Sequence, residues 1–231
     1  MTSGGLLLKM KDRGRSTGIL HLTRGEMGSR GTPEERAEEA RTAAALLAAD
    51  WLRILEFPDS RIWEGEELVA PLVELLRETR PGLVLTHFPR DPHPDHGRAG
   101  RLVAAAVHCA GLRNYPSRGE PHHVRQVLFA MYRGFFRPHL VVDVTDQLER
   151  KRAAVLAYAS QVGPTQPGEE ESRLSSPMFL RHWEARQAHF GSLIGRPFGE
   201  AYFCEYVFCL EDPLEAFPVP QQRRMAVEPV V

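Results

Sequence analysis

Cysteine is scarce in these 231 residues: Cys109, Cys204 and Cys209 are odd in number and make no Cys-x-x-Cys spacing. That argues against both a disulfide framework and a cysteine-built zinc site. Long apolar runs are also missing. The opening "MTSGGLLLKMKDRGRS" holds only Leu6, Leu7 and Leu8 in succession, too few for the core of a signal peptide, and no stretch approaches the roughly 20 apolar residues of a membrane helix. Charge of one sign is lacking as well. Lys+Arg 29 against Asp+Glu 30 gives a net charge of -1, and the basic residues form no stripe that could follow phosphates, so nucleic acid is not expected as a partner. A cytoplasmic protein without a membrane segment is expected. With 42% hydrophobic residues the chain can bury one sizeable core, and a single domain over 1–231 is predicted, ordered to about residue 212 with a tail from 213 to 231.

Apolar runs alternate with helical patterns, which predicts an α/β fold: a Rossmann-like, largely parallel sheet with helices on both faces. "GLLLKMKDRG" reads as a helix ended by glycine and "STGILHLT" as a strand. In "TPEERAEEARTAAALLAAD", Thr32 can cap, Pro33 suits the first helical position and acidic residues fill the first turn. "WLRILEF" reads as a strand, and "EELVAPLVELLRETR" as a helix whose Pro71 belongs in its first turn. "GLVLTHF" reads as a buried strand, followed by a loop and a helix over Gly97–Ala110. "QVLFAMY" and "HLVVDV" read as strands ahead of the helix "DQLERKRAAVLAYASQ". "VGPTQPGEEESRLSSP" has the composition of a mobile loop, and a helix around Met178–Phe190 and a strand "AYFCEYVFCL" complete the order.

Two loops carry chemistry. In "DPHPDHGRAG" (Asp91–Gly100) Pro94 favours a strand-to-helix loop, where an α/β sheet gathers its ligands. Neutral imidazole binds zinc well, and a neighbouring carboxylate can fix its tautomer. The alternative is a surface loop in which Asp95 or Asp91 merely caps the next helix. Two histidines fall short of the three protein ligands usual in a catalytic zinc site. No third stands out: His21 and His87 lie in or at the end of strands, His122 and His123 in a loop, and His182 and His189 on one helical face. In "LTRGEMGSRGTPEER" (Leu22–Arg36), glycines permit close backbone approach while Arg24, Arg30 and Arg36 offer forked donors for carboxylate or sugar hydroxyls. The alternative is a helix-entry loop with solvated charges.

Read together, "LTRGEMGSRGTPEERAEEA", "FPRDPHPDHGRAGRLV", "VVDVTDQLERKRAAVLAYASQ" and "GSLIGRPFGEAYF" resemble the LmbE/PIG-L-like zinc N-deacetylases, in the family's order, from Gly4 to about Phe208. The resemblance is closest to the bacillithiol-pathway branch, which removes acetate from N-acetylglucosaminyl malate. It implies that His96 is a zinc ligand, that His93 stabilises the oxyanion and protonates the leaving amine, and that Asp95 orients His93. It places Arg36 at a substrate-contacting position, with Arg24 and Glu26 in the same loop, and Arg186 offers a further cation for an anionic aglycone. Family members begin with a strand ending in His-Pro-Asp-Asp, which supplies two more ligands and the general base. The short acidic, glycine-rich turn that follows this strand in the family survives here only as Gly4-Gly5, and the first strand of the family is not among these residues, so a natural chain that extends further upstream is expected.

The resemblance thus implies a zinc deacetylase, tolerant of other divalent metals, acting on a small-molecule glycoside and expected as a homo-oligomer. The alternatives are a non-catalytic sugar-binding relative that lacks half the metal site, or a deacetylase of another N-acetylglucosamine conjugate. A nucleotide-binding Rossmann protein is disfavoured because no G-x-G-x-x-G opens the chain.

Overall fold

The computed structural model describes residues 2–133, 136–165 and 171–205. Their element order is α1 (Gly4–Asp12), β1 (Gly18–His21), α2 (Pro33–Leu46), β2 (Trp51–Ile54), α3 (Glu66–Thr79), β3 (Leu83–His87), α4 (Pro94–Gly111), β4 (Gln126–Ala130), β5 (Leu140–Asp143), α5 (Leu148–Leu156), α6 (Ala159–Val162), α7 (Phe179–Ser192) and β6 (Gly199–Phe203). The expected alternation is present. The sheet is less uniform than expected: β1 and β2 form a parallel pair, and a second sheet runs in the order β3-β4-β6-β5. In it β3 and β4 are parallel from Leu83↔Gln126 to His87↔Ala130, whereas β4 and β6 are antiparallel through Phe129↔Phe203. This is a mixed α/β fold. No described helix is long and apolar enough to cross a membrane. The tail from 213 and residues 166–170 of the expected mobile loop lie outside the described residues.

The chain packs as two compact units. The first takes the residues up to Glu56 together with Val141–Ala201. Helix α2 starts where expected: the Thr32 hydroxyl accepts from Glu35 N and the Glu35 carboxylate accepts from Thr32 N, a reciprocal capping box with Pro33 behind it. Gly4 and Gly5, which the resemblance implied to be the remnant of a turn, begin α1, in line with the helix read from Gly5. Ser3 makes no side-chain cap there. Its place is taken by Glu200, whose carboxylate accepts from Gly5 N at 2.7 Å and Leu6 N at 2.8 Å. A carboxylate at a helix N-terminus answers both the orphan donors and the dipole. Glu200 in turn pairs with Lys151 at 2.8 Å, both side chains 1% exposed, and Lys151 donates to Gln187. Burial pulls the Lys151 ammonium below its ordinary value, while Glu200 pulls it back. Leu148, Val155, Phe179 and Trp183 form the apolar cluster of this unit.

The second unit comprises Phe57–Leu140 and Tyr202–Glu205, with Phe88, Val127 and Phe129 at its core and Phe136 and Phe203 against them. Two expectations change here. Pro71 sits beyond the first turn of α3, which starts at Glu66. The proline removes a single backbone donor on an exposed face while Leu68, Val69, Leu72 and Val73 stay buried, so packing of the apolar face outweighs the lost bond. Strand β3 is half-buried rather than buried, with Leu83 exposed.

Candidate active site

In the second unit, β3 ends at His87 and the chain turns through Pro89–Pro92 into α4. The sequence favoured a loop for His-Pro-Asp-His, but the helix already begins at Pro94. Proline is at home at the first helical position because its missing N–H would have no partner there. His93 becomes the N-cap residue, and Asp95 and His96 lie in the first turn. Helix α4 crosses tightly over the strand end: a Cβ on Gly100 would stand 2.3 Å from the His87 carbonyl oxygen, so glycine is required for this approach.

Three imidazoles stack. His96 lies between His87, at 4.3 Å and 9°, and His93, at 4.3 Å and 24°, with the Tyr132 ring edge-on at 4.6 Å. Asp91, its side chain 1% exposed, holds the loop through both oxygens. Oδ1 accepts from His93 N at 2.9 Å and lies 3.2 Å from His96 Nδ1, and Oδ2 accepts from Arg133 N at 3.0 Å. Burial pushes the Asp91 carboxyl up, but the two backbone donors and His96 outweigh it, and the group stays below its ordinary value. An ionised carboxylate only accepts, so the contact suits the His96 tautomer that carries its proton on Nδ1 and keeps the Nε2 lone pair for a ligand.

Burial holds His87 down to about 3, and burial followed by its neighbour His93 holds His96 down to about 4. Both rings are neutral at physiological pH, the form that binds metals. The bond expected from Asp95 to His93 is not made: among the described residues, buried His93 Nδ1 and both oxygens of Asp95 have no hydrogen-bond partner, and Asp95 Oδ1 forms an ion pair with Arg98 at 3.7 Å. Orphaned polar atoms of this kind are rare and mark a ligand, an ion or water. A neutral imidazole lone pair beside such atoms fits a divalent cation, with His96 as the donor. Among the described residues no cluster of three or more His, Cys, Asp or Glu could hold a metal.

The glycine loop lies in the first unit. Arg36 donates to the Gly25 carbonyl, and Gly25, with φ +71, could not carry a Cβ, which would fall 2.3 Å from the guanidinium. Arg36 therefore shapes the loop whatever else it touches. Arg30, proposed from sequence to grip a ligand, is 7% exposed and donates to the Gly163 and Pro164 carbonyls. Arg24 pairs with Glu34 at 2.5 Å, Glu26 is exposed, and Arg186 is half-buried on α7. Asp91 and Tyr132 were not singled out as site residues in the sequence. The signal for Asp91 was an aspartate two residues before an N-cap, the spacing at which a carboxylate accepts the backbone N–H two residues on.

The sequence profile described as "PIG-L: GlcNAc-PI de-N-acetylase" matches residues 1–107. That match takes in a little under half of the 231 residues. A diacetylchitobiose deacetylase from Thermococcus kodakarensis is 33% identical over 178 residues, 68% of this chain and 64% of that protein. The chain thus spans somewhat under two thirds of that relative. A 4-oxalmesaconate hydratase from Pseudomonas putida is 27% identical over 67% of this chain and 60% of its own length. Among solved structures, the conserved protein TT1542 from Thermus thermophilus superposes with a TM-score of 0.82 at 37% identity, covering 90% of each chain.

Proposed function

We propose that this chain is a PIG-L family member, a metal-dependent N-deacetylase that hydrolyses the acetamide of an N-acetylglucosamine conjugate. The observation that carries the reading is the loop itself. His96 is ring-anchored through Nδ1, next to a buried imidazole nitrogen and a buried carboxylate that have no hydrogen-bond partner among the described residues. The deacetylase relative and the GlcNAc-PI de-N-acetylase profile support the substrate class.

In this reading His96 holds a zinc ion, or another divalent metal. When bound, the metal supplies Lewis acidity and a water acidified to a pKa of about 7. His93 meets the oxygen on which negative charge develops and delivers a proton to the departing amine. Asp95 orients His93, a bond that forms as the site fills, since catalytic hydrogen bonds tighten in the substrate complex. One water is consumed, and acetate and a free amine are released. N-acetylglucosaminyl malate, of bacillithiol biosynthesis, is the finer reading, with Arg36, Arg24, Glu26 and Arg186 serving the substrate and an anionic aglycone drawing on the arginines. A cytoplasmic homo-oligomer goes with it.

Acetate release tests the reaction class, because a hydratase adds water and releases nothing. His93→Ala should keep zinc and lose about a hundred- to a thousand-fold in turnover; unchanged turnover would defeat its role. His96→Ala should lose zinc, and full zinc occupancy in that variant would show that another residue is the ligand. Faster turnover of neutral glycosides than of the malate-linked one would overturn the finer reading. A metal-free protein that still binds glycoside would favour a sugar-binding module.

A further inference from the structure

We infer that Asp91 is the positioning residue of this site: its carboxylate fixes the tautomer and rotation of His96, so that the ring presents Nε2 to the metal. The inference rests on the metal-holding role proposed above for His96. Three observations carry it. The side chain is almost wholly buried, yet both oxygens are used, and all three contacts go to the loop or to the segment after β4. The same oxygen, Oδ1, takes the His93 backbone N–H and the His96 ring, so the N-cap and the ring one turn later are set by one atom. The ring it holds is clamped on both faces by His87 and His93. Stacking fixes the plane of an imidazole, but only a directional partner chooses which nitrogen carries the proton. Asp91 supplies that choice, and partners of this kind typically control metal affinity by about 10–100-fold.

Asp91 touches no reacting atom in this arrangement; it acts through His96. The first measurement needs no variant. In the zinc-free full chain, long-range 1H–15N correlation of the imidazoles, with His96 identified by its loss in His96→Ala, should find His96 protonated at Nδ1. Protonation at Nε2 would overturn the inference. The second is zinc affinity by competition with a chromophoric chelator. Asp91→Ala should bind zinc about 10–100-fold more weakly and lose the Nδ1–H signature, and Asp91→Asn, whose amide oxygen can still accept, should recover most of the affinity and the signature. A folded Asp91→Ala that binds zinc within about twofold of the parent (small beside that range) would also overturn it. A purely structural aspartate would shift the melting temperature and leave the tautomer alone. If Asp91→Ala does not fold by circular dichroism, the tautomer of the parent chain decides. Undiminished zinc in His96→Ala would sink the ligand role itself, a failure separate from a wrong tautomer at His96.

Discussion

The glycine loop of the first unit and the histidine loop of the second treat their polar side chains in opposite ways. In the glycine loop the cations are spent on the protein: Arg30 on two carbonyls, Arg36 on Gly25, Arg24 on Glu34. The histidine loop leaves buried His93 Nδ1 and the Asp95 carboxylate without a hydrogen-bond partner among the described residues. The first arrangement stabilises the fold. The second costs stability, since an unsatisfied buried group carries a penalty of about 1–3 kcal/mol, and a fold keeps such a cost where a ligand will relieve it. The charged loop that looks built for binding is mostly scaffold, and the strain of unmet hydrogen bonds points to the other.

The sharpest way to break this contrast is Asp95→Asn. Turnover should fall about a hundredfold or more while the melting temperature holds, because the carboxylate has no hydrogen-bond partner among the described residues and its 3.7 Å ion pair with the exposed Arg98 contributes under about 1 kcal/mol. A clear loss of stability would mean that Asp95 is structural. Arg30→Ala should do the reverse, costing about 1–3 kcal/mol in urea unfolding by stranding two carbonyls, with KM for the glycoside little changed. A raised KM at unaltered stability would return Arg30 to the binding residues.

A smaller effect separates the units by pH. His21, at the end of β1, is held down to about 4 by burial, against about 6.5 unfolded. The unfolded chain therefore binds the proton first. Stability is intact above about pH 6.5 and declines as pH falls towards 4. His87 and His96 act in the same direction, so the readout is the difference between the parent and His21→Gln, in which the decline should ease by on the order of 1–2 kcal/mol. Parallel profiles would show that His21 titrates normally. The least effect belongs to the exposed pair Arg24–Glu34: Glu34→Ala should cost under about 1 kcal/mol, and less in high salt.

Much of this was legible in the chain. The Thr32–Pro33–Glu35 start of α2 is a local signal, complete within one turn, and it formed as read. The pairing of His93 and His96 in one place was equally local. What the sequence could not convey depends on groups far apart in it. The antiparallel entry of β6 beside β4 has no signature in the strand's own residues. Arg30 looked available until the carbonyls of Gly163 and Pro164, more than a hundred residues on, took its donors. Asp91 read as a helix cap because its partner Arg133 N lies 42 positions away.

The cap of α1 has a consequence in time. Glu200 follows the helix it closes by 195 residues, and at about 5–20 residues per second of synthesis that interval is roughly 10–40 s. Until β6 emerges, the first helix lacks the carboxylate that its own Ser3 does not replace, and Lys151 waits without its counter-charge. Helix α1 is thus locked only after β6, made 195 residues later, has joined its unit. A chain stopped short of residue 200 would release an uncapped helix and an uncompensated lysine in what should be a core, a state that quality control can recognise before any chemistry begins.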